Sequence, residues 1–64
     1  MCLSTVYKNE KKPGNEVLKN VMKIECENGI VTLTDIMGRE AQVEGELMSA
    51  DLTAGYVVLR AKAS

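Results

Sequence analysis

The chain contains no histidine, no phenylalanine and no tryptophan, and only one proline and two cysteines among 64 residues. Without histidine, Ser-His-Asp and Cys-His arrangements are excluded, and the commonest metal ligand and neutral-pH proton carrier is missing. Tyr7 and Tyr56 are the sole aromatic residues, so the stacking platforms on which single-stranded nucleic acid normally rests are lacking. Eight basic and nine acidic residues leave a net charge of -1 and a pI near 5.3, a balance with no overall field to attract a polyanion. There is no glycine-rich phosphate loop. No apolar run approaches the roughly 18 residues of a membrane span, and the longest, such as Tyr56 to Leu59, are strand-length. The amino end shows no basic stretch followed by an apolar run, as a secretory signal would. The expectation is a reduced, cytoplasmic protein that associates with neither membrane nor nucleic acid. The acidic residues are scattered. Pairs such as Asp35 with Glu40, or Glu44 with Glu46, read as charges that keep a surface wet, and with no acid-base or nucleophilic set the chain does not read as an enzyme.

What is present is a succession of short segments rich in Val, Ile, Leu and Thr, separated by turn signals, which is the pattern of a small all-β domain. One domain spans residues 1–64. The first strand is expected from Cys2 to Lys8, ending at the polar loop that holds Pro13-Gly14. Residues Glu16 to Glu27 also fit a helical spacing, but Met22, Ile24 and Cys26 alternate with Lys23, Glu25 and Glu27, and this favours a strand with the first three inside. Asn28-Gly29 is the strongest local signal, because a two-residue type I′ turn needs positive φ twice and Asn-Gly supplies it most easily. Val31 and Leu33 are expected to face the core from a strand over Ile30 to Ile36. Met37-Gly38 then turns into Arg39 to Glu44, with Ala41 and Val43 inward. Gly45 suggests a bend or bulge, Glu46 to Leu52 follows, and Thr53-Ala54-Gly55 leads into Tyr56 to Arg60. The count is five or six antiparallel strands. A chain this short hides only about 60% of the surface that its unfolded form exposes, so such a sheet must curl into a barrel-like domain, pair with a second copy as a homodimer, or do both.

Cys2 follows the initiator methionine directly, and its side chain is small enough for Met1 to be removed. The α-amino group (pKa about 7.7 to 8.0) and thiol (about 8.5) of an N-terminal cysteine lie on adjacent atoms and can close a five-membered chelate ring. Thiolate with amine or amide nitrogen suits square-planar Ni(II) or Cu(II), whereas Mg and Ca prefer all-oxygen sites. Against this stands the plainer reading of Cys2 as a small apolar residue at a strand start. Cys26 lies too far along the chain to form a CxxC pair and reads as core. Met22, Met37 and Met48 read as core fillers in a chain without Phe or Trp, and Lys8, Lys11 and Lys12 as the solvated tip of a loop.

The opening MCLSTVY, the segment EVLKNV, the Asn-Gly turn, VTLTDIMGRE and the closing DLTAGYVVLR together resemble the CooT family almost from end to end. The Met-Cys start is a short motif, and its weight comes from coinciding with the length and turn pattern of the whole chain. The resemblance implies a homodimer of small β-barrel-like subunits that holds nickel through the cysteine matching Cys2. It also implies a role in nickel handling for the maturation of a client enzyme, carbon monoxide dehydrogenase. The same family has carried the label of predicted RNA-binding protein, so a small RNA-binding module is the second functional class. The family pattern assigns nothing to Cys26.

Overall fold

The computed structural model describes residues 3–62, and Cys2 lies outside the described residues. Five strands form: β1 (Ser4–Lys8), β2 (Glu16–Glu27), β3 (Ile30–Asp35), β4 (Glu40–Asp51) and β5 (Tyr56–Ala61). They join in chain order into one closed barrel. Neighbours along the chain pair antiparallel, as expected. The ring is closed differently, by a parallel ladder of β1 on β5 from Thr5 opposite Tyr56 to Lys8 opposite Leu59. No hairpin links these two strands, so nothing in their connection forces an antiparallel match.

β2 and β4 each run for 12 residues and each serve two neighbours. β2 lies on β1 up to Val21 and on β3 from Val21 to Glu27. β4 lies on β3 through Glu44 and on β5 from Gly45 onward. This is why the count is five rather than six: the segments Arg39 to Glu44 and Glu46 to Leu52 belong to one strand that runs on through Gly45, where the sequence suggests a bend or bulge. There the Gly45 N–H donates to the Gly29 carbonyl at 2.8 Å. The backbone φ is 154°, and a Cβ at this position would run into the Arg60 carbonyl oxygen. The Asn28-Gly29 turn takes positive φ at both residues, 51° and 77°, as a type I′ hairpin requires.

The core is a cluster of Val6, Val21, Val31, Leu33, Val57 and Leu59, with Val17, Leu18, Ile24 and Val43 packed against it. Val31 and Leu33 are fully buried, as the alternation of β3 predicts. The alternation of β2 does not hold. Asn20 adopts a positive φ of 57°, and the register slips by one residue between Val21 and Lys23. The bulge gives Val21 the buried position and leaves Met22 half exposed. Of the expected inner stripe, only Ile24 meets the core. Cys26 stays on the Ile24 face, opposite Val31, but it stands next to the hairpin tip and is exposed. The methionines are corrected with it: Met22, Met37 and Met48 are all exposed rather than filling gaps, because the small barrel is already packed by Val and Leu. The loop bearing Lys11 and Lys12 behaves as expected. Lys12 pairs with Glu10 at 2.8 Å in solvent, and the Lys11 ammonium lies 4.4 Å from the Tyr56 ring centre.

Candidate functional site

The end of the barrel from which the chain start emerges is built from four segments. Ser4 opens β1 opposite Val21, and Val21 in turn lies opposite Asp35. The bulge of β2 is tied to the next turn by the Ile36 N–H donating to the Asn20 carbonyl at 3.1 Å. On the other side of β1, the Thr5 N–H donates to the Gly55 carbonyl at 3.0 Å, which draws the turn between β4 and β5 against the chain start. Leu3 lies against this turn: a Cβ on Gly55 would stand 3.5 Å from the Leu3 carbonyl oxygen, an ordinary contact.

Around this end, four large apolar side chains are left in solvent: Met22, Ile36, Met37 and Leu52, the third 76% exposed. Ser4 and Asp35, by contrast, are buried polar residues. Asp35 is the one acidic residue that the fold hides, and it closes the β3–β4 turn. Its Oδ1 accepts the backbone N–H groups of Met37 and Arg39, each at 2.9 Å, and its Oδ2 accepts Arg39 Nε at 2.7 Å. From the sequence alone Asp35 reads as one of the wet surface charges, and the structure corrects this. The missed signal is the short polar residue that opens a glycine-containing turn, where a carboxylate can accept the orphan amides of its own loop.

Burial pushes the Asp35 carboxyl up, but the amides of Arg39 and Met37 and the Arg39 guanidinium outweigh it and hold the group below its ordinary 3.8. A folded-state pKa that is depressed stabilises the fold fully above the unfolded value and loses that contribution as pH falls through the folded one. The melting temperature of the native chain should therefore exceed that of Asp35→Asn at neutral pH. The gap should narrow progressively once pH drops below 3.8, and thermal scans of both proteins from pH 7 to pH 2 check this. A gap that widens in acid would contradict the assignment.

The other acidic residues singled out in the sequence do not converge. Glu46 reaches Arg60 at 3.4 Å in solvent, Glu44 lies opposite Ile30, and Glu40 lies opposite Thr34. No cluster of three or more His, Cys, Asp or Glu able to hold a metal occurs among the described residues. Cys26 is therefore part of no such cluster among the described residues. Nor is any described helix long and apolar enough to cross a membrane.

Compared with known proteins, the chain matches none of the curated proteins. It does match the profile of a family described as CO dehydrogenase accessory protein CooT, over residues 1–60. That span takes in Met1-Cys2, every strand but the last residue of β5, and the turns that gather at the chain start. The chain belongs to the CooT family of CO dehydrogenase accessory proteins.

Proposed function

We propose that this protein is a non-catalytic, cytoplasmic carrier that holds Ni(II) as cargo through Cys2 and supplies it for the maturation of a nickel enzyme such as carbon monoxide dehydrogenase. The observation that carries the reading is the family match, which begins at residue 1 and so includes the Met-Cys start. The donor chemistry agrees with it. The chain has no histidine, and thiolate with backbone nitrogen is a donor set that suits Ni(II). A cysteine at the chain end offers both from one residue. Two such chains in a homodimer complete a four-coordinate plane, with one sulfur and one nitrogen from each.

A titration of tag-free protein with Ni(II), followed by thiolate-to-metal charge-transfer absorption, tests the reading. The band should saturate at about one ion per two chains, and the intact mass should show Met1 removed. Binding should weaken as pH falls below about 7.7, because the ion displaces protons from the amine and the thiol. Cu(II) should bind more tightly than Ni(II) in vitro, following the general order of divalent affinities. Saturation at one ion per chain would replace the two-chain site with separate sites, and absence of any band would sink the proposal.

A further inference from the structure

Four asparagines occur in the chain, at positions 9, 15, 20 and 28, and they differ in what restrains their side-chain amides. Asn9 Oδ1 accepts the Ala61 N–H at 3.0 Å and Asn15 Nδ2 donates to the Lys8 carbonyl at 2.8 Å, so both amides are held. Asn20 precedes the buried Val21, whose branched side chain crowds the main-chain nitrogen that follows Asn20. Asn28 has none of these restraints. It is exposed, and its side chain makes no hydrogen bond among the described residues. The residue after it is Gly29, also exposed, and apart from its chain neighbours nothing lies within 4 Å of the place a Cβ would take. The Gly29 carbonyl accepts the Gly45 N–H, but the Gly29 N–H has no partner among the described residues. Every residue from Glu25 to Gly29 is exposed, so few buried contacts hold the hairpin tip and it opens locally while the core stays closed.

We infer that Asn28 is a site of self-modification, at which the Gly29 main-chain nitrogen attacks the Asn28 side-chain carbonyl carbon. The nitrogen gives up its proton to base and bonds to Cγ, the Cγ–Nδ2 bond breaks, and Nδ2 takes up a proton and leaves as ammonia. The product is a five-membered succinimide. Closing this ring takes Asn28 out of its positive-φ turn conformation, so the reaction runs through the open tip. Water then adds to either carbonyl of the succinimide and opens it. Opening at the main-chain carbonyl gives isoaspartate, with the chain running through the former side chain, and opening at the other gives aspartate. Either product places a negative charge next to Glu27, on a chain whose net charge is already -1. Isoaspartate also lengthens the main chain inside a two-residue turn bounded by the Glu27–Ile30 pair, and so loosens the bond from Gly45 to the Gly29 carbonyl.

The full chain, aged in heavy-oxygen water at mildly alkaline pH, should take up one labelled oxygen. Peptide mapping should place it at Asn28, with Asn9, Asn15 and Asn20 unchanged. An isoaspartyl methyltransferase should label the aged protein and not the fresh one. Mildly acidic buffer should slow the reaction, because the attacking nitrogen must lose its proton. Asn28→Gly keeps a turn-forming pair without the amide, so it should fold and gain no label. The isoaspartate fraction, separated by anion exchange, should melt several degrees below fresh protein. Urea below the unfolding transition should leave the rate nearly unchanged, since opening the tip exposes little surface. Label spread equally over the asparagines, or none at Asn28 after weeks, would overturn the inference. So would a rate that climbs with urea as the unfolded fraction does, or an isoaspartate fraction that melts with the fresh protein.

Discussion

Replacing Cys2 by serine should abolish Ni(II) binding and leave the melting temperature of the metal-free protein unchanged. The substitution removes the only soft donor beside the chain's amino group, and a hydroxyl does not ionise near neutral pH to give the ion an equivalent ligand. The core cluster of the described residues lies within residues 6–59 and β1 begins at Ser4, and these should hold the fold after the change. Cys26→Ser provides the contrast. An exposed hydroxyl costs little, so both stability and nickel affinity should stay within measurement error. Calorimetric titration and thermal unfolding of the two variants side by side decide the assignment. Retained nickel affinity in Cys2→Ser, or loss of it in a folded Cys26→Ser, would reverse the roles of the two cysteines.

The second large effect is expected at Gly45. A Cβ there meets the Arg60 carbonyl, which is backbone and cannot swing aside, and the φ of 154° is one that side-chain-bearing residues rarely adopt. Gly45→Ala should therefore cost about 3 kcal/mol, combining backbone strain with overpacking. In a domain of this size, whose total stability is roughly 3 to 10 kcal/mol, that is enough to leave much of the protein unfolded at 37 °C. Gly14 is the control, because nothing lies within 4 Å of a Cβ placed on it and its φ is not positive. Urea unfolding of Gly45→Ala and Gly14→Ala should give clearly separated midpoints. Equal midpoints would show that β4 can relax its bend without loss.

The all-β class, the Asn28-Gly29 hairpin, the burial of Val31 and Leu33 and the strand over Glu16 to Glu27 were legible in the sequence. Each rests on local rules: period-two alternation, β-branched content and the positive φ that Asn-Gly accepts. The family was legible too, since the match over residues 1–60 takes in the Met-Cys start and the turn pattern that carry the resemblance. The inner face of β2 was not, because alternation carries no mark of where a strand changes neighbours. At that junction Asn20 bends the chain, Val21 takes the core position, and Met22 goes to solvent. Cys26 was misplaced for a related reason: facing the core side does not bury a residue that stands at the hairpin tip, beyond the reach of the other strands. That the segments on either side of Gly45 form one strand depended on pairing with β5, whose Arg60 lies close to Gly45 from 15 positions away. The role of Asp35 likewise depended on a turn that folds its own amides back onto the carboxylate. Composition and period thus determined the kind of elements. Only packing around a closed barrel decided which faces are covered, because burial belongs to the whole ring of strands and to no single one.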